Sequence, residues 1–193
     1  ERVLSMIPPG QAERRAANPG TEESLQSIES GLAGGSVAVL ASGDPCFFGI
    51  GKVLVRRFGK ERVEIIPHLS SVQLAFARIR ESWEDATFLS VHGRSLEGIA
   101  EAVRRSKKVA ILTDARHTPA AIARELLAQG VTNYCAYLCE DLGSASEQVR
   151  RAGIEELAGM ESSPLSVLVL LQIEPEAVAP KAEWLHGIPD EEF

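Results

Sequence analysis

The chain lacks the features that would place it in several broad protein classes. Its three cysteines form neither a disulfide framework nor a zinc pattern: Cys135 and Cys139 stand as a single pair, with no second pair and no clustered histidines. Buried structural thiols are the expectation for both. No apolar run approaches the ~18 residues of a membrane-spanning helix, and Val167 to Leu171 is only strand-sized. There is no basic-then-apolar leader, so a cytoplasmic, reducing setting is expected. Positive charge is also short: 20 Lys and Arg against 27 Asp and Glu leave a net charge of -7. That argues against non-specific nucleic-acid binding, which needs phosphate-neutralising cations in excess. A local basic pocket for an anionic small molecule stays open.

Nucleotide and hydrolase signatures are absent as well. Neither G-x-x-x-x-G-K-[ST] nor G-x-G-x-x-G occurs. Ser42 lies between Ala41 and Gly43 without the G-x-S-x-G frame, so a nucleophile elbow is unsupported. The histidines His68, His92, His117 and His186 show no metal-ligand spacing. His92, at a strand end, is the one considered for a site, and the others read as surface or loop residues.

What is present is an α/β texture. The 193 residues are 45% hydrophobic and 24% charged, and a chain of this size can bury roughly 70% of its unfolded surface. From residue 36 onward short apolar runs alternate with helical patterns. Strands are predicted at Val37 to Ala41, Val63 to Ile66, Phe88 to Val91, Val109 to Leu112, Tyr134 to Leu138 and Val167 to Ile173. Phe47 to Phe58 reads as a helix capped by Asp44 with Pro45 at its first position. Ser70 and Gln73 have capping-box spacing and open a helix through Arg80; Ser144 and Glu147 repeat that spacing. Another helix is predicted from near Ser95, and one from Thr118-Pro119 closes at Gly130. The first half reads as parallel and doubly wound. The second is mixed, because its last strand arrives without a matching helix. The domain division is placed at 1–97 and 98–193, with residues 8–20 a loop and 174–193 an irregular acidic tail.

Ligands of open α/β sheets bind beyond the carboxyl ends of strands. Ser42-Gly43-Asp44, Ser70-Ser71, His92-Gly93, Thr113-Asp114 and Glu140-Asp141-Leu142-Gly143 all fall at such ends. Gly43-Asp44-Pro45 supports two readings: a strand-to-helix turn with a cap, or a bare backbone that a ligand can approach closely. Asp44 repels phosphate, so the second reading suits a neutral or cationic ligand, or ribose hydroxyls.

LASGDPCFFGIG (40–51), VEIIPHLSSVQLAFARI (63–79) and LSVHGR (89–94), with LTDARHTPAAIARELLAQG (112–130) and LCEDLGSASEQ (138–148), resemble the tetrapyrrole methylases. More narrowly they resemble the precorrin-6Y methylases that act on ring carbon 5. GIPDEEF (187–193) resembles the segment that, in fused relatives, leads into a C15-methylase and decarboxylase module. The resemblance implies two α/β domains with S-adenosylmethionine in the cleft between them, and a homodimer. It implies that Ser42, Gly43, Asp44, Phe47, Ser70, Ser71, Thr113 and Leu142 touch this methyl donor. It also implies a C-methylation that converts a precorrin-6 or cobalt-precorrin-6B ring to precorrin-7 or its cobalt form. The family begins with a strand and a glycine-rich loop, whereas Glu1-Arg2-Val3-Leu4 resembles a later point, so the first strand is expected to be missing.

Such an acceptor carries many carboxylates, so basic side chains should face it. Arg94 and Arg116, beside strand-end loops, are the candidates, with His92 as a further site residue. Arg56, Arg57, Lys107 and Arg150 read as solvated helix faces. No catalytic dyad is expected, and no metal. Rival readings are a methylase of the same fold acting on another corrinoid position, a modified histidine or ribosomal RNA, and a fragment that only binds the donor.

Overall fold

Thr21 opens the first helix by accepting the backbone N–H of Ser24 on its hydroxyl, and Glu22 and Glu23 place negative charge on the N-terminal turn of α1, Glu22–Leu32. This helix follows the loop predicted for residues 8–20 and adds an element ahead of the α/β alternation expected from residue 36. The computed structural model describes residues 8, 10, 12–16, 18 and 20–173; the start at Glu1-Arg2-Val3-Leu4, His186 and the 174–193 tail lie outside them. The chain divides into two units between Glu81 and Ser82. That is ahead of the 97/98 division, because the strand at residues 87–90 is hydrogen-bonded into the sheet of the second unit.

In the first unit α2, Gly51–Phe58, is followed by a 3-10 turn at Lys60–Arg62 and by α3, Ser71–Ile79. Arg57 ties α2 to α1 through Glu22 (3.3 Å) and Glu29 (3.0 Å). The capping box predicted for α3 forms. Ser70 Oγ accepts the N–H of Gln73, and Gln73 Oε1 accepts the N–H of Ser70. The helix predicted from Phe47 begins later. Asp44 Oδ1 takes the N–H of Cys46, Phe48 sits in the left-handed region at φ 52, and the chain doubles back on Pro45. A Cβ on Gly49 or Gly51 would come within 2.6 or 2.7 Å of the Pro45 carbonyl oxygen. This turn uses two bare positions and one positive φ, none compatible with a continuous helix from residue 47.

The parallel, doubly wound first half does not form among the described residues. Val37 to Ala41 and Val63 to Ile66 are not strands. Both have the composition of a strand, but neither finds a backbone ladder partner, and Leu40 and Ile66 stay 43% and 76% exposed.

The second unit carries a five-stranded mixed sheet in the order β1-β2-β5-β3-β4. Its strands are β1 Thr87–Ser90, β2 Lys108–Leu112, β3 Tyr134–Glu140, β4 Gln148–Gly153 and β5 Ser166–Gln172. The predicted strands 88–91, 109–112, 134–138 and 167–173 correspond to β1, β2, β3 and β5 within a residue or two. β1 and β2 run parallel, joined through α4, Ile99–Arg104. The helix predicted from near Ser95 starts there, after Gly98 turns the chain at φ 76. α5, Pro119–Ala128, begins as its sequence dictates, with Thr118 Oγ1 accepting the N–H of Ala121 and proline at the first turn. At its end Val131 N–H returns to Leu126 O, across Gly130 at φ 71.

β5 enters antiparallel between β2 and β3, the mixed pairing expected of the second half. The capping box at Ser144 and Glu147 opens no helix. Glu147 Oε2 instead accepts the N–H of Gly143 and closes a loop that leads into β4. Arg150 therefore lies on a strand, not a helix face, where it pairs with the buried Glu140 at 2.9 Å. A short α6, Ile154–Leu157, follows.

The core lies around this sheet. Val109, Ile111, Leu138, Leu168 and Leu170 meet Ile122 and Leu126 of α5, all fully buried. Each such side chain contributes roughly 1.5–3 kcal/mol. Tyr134 is the one large polar-tipped member, and its hydroxyl donates to the carbonyl of Val103 at 2.7 Å, with that of Ser106 at 3.0 Å. Tyr134→Phe removes the donor while keeping the ring, and is expected to cost about 1–2 kcal/mol. Urea denaturation checks it: an unchanged midpoint means that the hydroxyl does not brace the end of α4.

Candidate functional site

In the first unit the expected residues gather where two chain segments meet. Gly43 turns at φ 71, and a Cβ there would lie 3.5 Å from Ser70 Cα and 3.6 Å from Leu69 O. The Ser42-Gly43-Asp44 loop is thus laid against the first turn of α3, and glycine is needed for the positive φ. Ser70 is buried, and its hydroxyl accepts the cap N–H that holds the turn in place. Ser71 begins the helix, half-buried. An open hollow of about 440 Å³ is lined by Asp44, Pro67, His68, Leu69 and Gln73. Phe47 and Phe48 stand beside this loop as an edge-to-face pair, ring centroids 4.9 Å apart. His68, read from the sequence as a surface or loop residue, shares the hollow with Asp44. Its signal was only its place two residues before the Ser70 cap.

In the second unit Thr113 is buried at the end of β2. Its hydroxyl donates to the carbonyl of Ser166 at 2.7 Å and lies 2.9 Å from the Ser166 hydroxyl. Leu165 O accepts the N–H of Asp141 at 3.0 Å, which starts the loop carrying Leu142. Thr113 and Asp141, the residue before Leu142, are therefore bonded to Ser166 at the start of β5 and to Leu165 just ahead of it, at one end of the sheet.

The loops after β1 and β2 are joined by one carboxylate. Asp114 Oδ2 accepts the N–H of Gly93 at 2.9 Å. Its Oδ1 accepts the N–H groups of Arg116 (2.9 Å) and His117 (2.6 Å), with His117 Nδ1 at 3.4 Å. The peptide donors of His117 and Gly93, chiefly, hold this carboxyl far below the ordinary carboxylate range. His92, Arg94 and Arg116 are exposed on the two loops so joined. The sequence places Asp114 at a strand end with Thr113; its reach across to Gly93 depends on the parallel pairing of β1 with β2.

The three cysteines are free thiols, and Cys46 is exposed. Cys139 is buried, which pushes its thiol up to about 12. Cys135 is half-buried, its sulfur accepting from Arg151 Nε at 2.9 Å. Among the described residues no cluster of three His, Cys, Asp or Glu could hold a metal, and no helix is long and apolar enough to cross a membrane.

The sequence pattern of the Tetrapyrrole (Corrin/Porphyrin) Methylases matches residues 1–158. The chain belongs to this family. Among curated members it is 42% identical over 113 residues to the cobalt-precorrin-7 C(5)-methyltransferase of Salmonella typhimurium, covering 58% of this chain and 55% of that protein. It is 38% identical over 116 residues to the precorrin-6Y C(5,15)-methyltransferase [decarboxylating] of Sinorhizobium sp, covering 60% of this chain and 28% of that one. The chain thus spans about half the length of the first of these relatives, or less. In fold it resembles the uroporphyrin-III C-methyl transferase of Thermus thermophilus, solved in complex with S-adenyl homocysteine. The TM-score is 0.67 at 23% identity, over 90% of this chain and 81% of that one. The mixed sheet and its helices are those of a tetrapyrrole methylase.

Because the Asp114 carboxyl is depressed in the native state, its stabilisation is complete above the unfolded-state value near ~4 and is lost as pH falls toward the native value. Asp114→Asn should therefore destabilise the chain at pH 7, with the gap to wild type narrowing at pH 3. Denaturant titrations at the two pH values check this, and a gap independent of pH excludes the assignment.

Proposed function

We propose that the chain forms an S-adenosylmethionine-dependent C-methyltransferase of cobalamin biosynthesis, which methylates ring carbon 5 of an acceptor of the cobalt-precorrin-7 or precorrin-6Y type. Where the cobalt-precorrin-7 relatives are the guide, this acceptor is one step later than the precorrin-6 acceptor expected from the sequence. The observation that carries this reading is the Gly43 loop packed on the first turn of α3, beside a hollow that holds Asp44. The similarity to C(5)-methyltransferases supports the choice of ring position.

The hollow suits the donor. Its volume is in the range of small-molecule sites, its loop offers bare backbone, and its one carboxylate favours a sulfonium or a ribose diol and disfavours phosphate. Ser42, Gly43, Asp44, Phe47, Ser70 and Ser71 of the first unit, with Thr113 and Leu142 of the second, are the residues proposed to hold it. When bound, S-adenosylmethionine supplies a methyl group already activated for attack, with a leaving thioether that departs neutral. The chain's own task is alignment, and the enamine-like ring carbon needs no strong base to react. Asp44 holds the donor, through its ribose or its positive charge. Arg94 and Arg116 engage acceptor carboxylates. The proton that the ring loses passes to water, to a substrate carboxylate or to His92. The two-domain arrangement, a homodimer and pairing with a C15-methylase and decarboxylase module belong to the same proposal.

Two measurements test the reading. Calorimetry with S-adenosylhomocysteine is expected to show saturable one-site binding, and its absence leaves only a fold without a donor site. Arg94→Ala and Arg116→Ala are each expected to raise the acceptor KM by about tenfold, the worth of a charge-assisted hydrogen bond. Unchanged KM in both variants withdraws the two arginines from the site.

A further inference from the structure

Asp114 is an acidic residue among basic ones. His92 and Arg94 flank Gly93, whose N–H it accepts, and Arg116 gives it a second backbone N–H. Its charge is met by three peptide donors and the His117 ring, not by a guanidinium. Neither Arg94 nor Arg116 has an ion-pair partner among the described residues. The carboxylate itself is 14% exposed, while the Gly93 and Arg116 donors lie at the surface. The carboxylate also spans two structural levels. Through Oδ1 it closes the 114–117 turn, which the N–H of Asp114 closes again on His117 O at 3.4 Å. Through Oδ2 it fixes that turn to the loop after β1. Parallel register places Ser90 beside Leu112, so both loops leave the sheet at the same end.

Resting on the reading of these loops as the acceptor side of a methylase, we propose that Asp114 is a positioning residue. It sets the spacing of Arg94 and Arg116 for a polycarboxylated macrocycle, without touching that ligand. Arginines on two independent loops would have to be ordered by the ligand itself, at an entropic cost taken out of the binding free energy. A shared carboxylate bonded to peptide N–H groups and the His117 ring, and to no guanidinium, fixes both loops beforehand and leaves each guanidinium available. An arginine paired to Asp114 would instead be withdrawn from the ligand.

Asp114→Asn separates this role from a merely structural one. Asn keeps an oxygen for the Arg116 and His117 N–H groups but turns an NH2 donor toward Gly93 N–H. The expected result, measured well below the unfolding temperature, has three parts. The Gly93 amide exchanges at least about tenfold faster, and the KM for the corrinoid acceptor rises by about tenfold, the loss of one charge-assisted bond. The donor KM and kcat at saturating acceptor stay within about twofold of wild type, because the chemistry is not touched. Should the Asn variant fold poorly, Asp114→Ser serves: its hydroxyl can close the 114–117 turn but offers no second oxygen to Gly93. A folded variant whose acceptor KM is unchanged, whose donor KM rises in parallel, or whose Gly93 amide stays protected overturns the proposal. Titration of the wild-type protein with a corrinoid intermediate distinguishes the two levels. Absence of binding there overturns the acceptor reading and this proposal with it, whereas binding that both variants retain overturns the positioning role alone.

Discussion

The pairing of β5 with β2 on one side and β3 on the other is the contact on which the second unit depends. Without it, β1-β2 and β3-β4 would be two separate ribbons, each with an open edge. Val167, Leu168, Val169 and Leu170 are buried on both faces, so this strand supplies apolar area to the layers above and below as well as hydrogen bonds to both neighbours. It also positions chemistry. Ser166 receives the Thr113 hydroxyl and Leu165 receives the Asp141 amide, so the loops after β2 and β3 are anchored to the first residue of β5 and the residue just ahead of it. A central antiparallel strand thus gathers two loops that a parallel sheet would also gather, but by tying them to its own beginning.

What the amino-acid pattern revealed follows from which signals are local. Thr118-Pro119 with Gly130, and Ser70 with Gln73, carry their own hydrogen-bond partners within a few residues, and the helices they mark are where the pattern puts them. The apolar runs of β2, β3 and β5 are equally plain, because strands buried on both faces need uninterrupted hydrophobicity. Signals that depend on distant partners misled. Ser144 and Glu147 have the same spacing as Ser70 and Gln73, yet Glu147 turns back to Gly143 and the chain proceeds into β4. β4 itself, Gln-Val-Arg-Arg-Ala-Gly, has neither alternation nor a continuous apolar run, so only its pairing with β3 makes it a strand. Val37 to Ala41 and Val63 to Ile66 show the converse, with strand composition and no ladder.

The candidate site was legible to a similar degree. Gly43, Ser70 and Ser71 belong to separate motifs and meet in space; Thr113 and Asp141, next to Leu142, bond to the neighbouring residues Ser166 and Leu165. Asp114 belongs to an expected strand-end loop, but its bond to Gly93 has no local signal, and His68 is an isolated histidine without a pattern. The charge balance gains a physical meaning from the structure. Several carboxylates of this acidic chain are absorbed internally, Asp114 by peptide N–H groups and Glu140 by Arg150 and the Ser163 amide. A net charge of -7 therefore does not prevent a pair of exposed arginines from presenting a locally positive face.

The ladder that joins residues 108–112 to 167–171 has a consequence for how the protein comes into being. A nascent chain emerging from the ribosome can wind α5 and pair β3 with β4 early, since those contacts are near in sequence. Until β5 follows, the inner edges of β2 and β3 are both bare and apolar. During translation this half is therefore a template with a strand-wide gap, and anything that delays the arrival of residues 166–172 prolongs the interval in which a foreign strand could fill it.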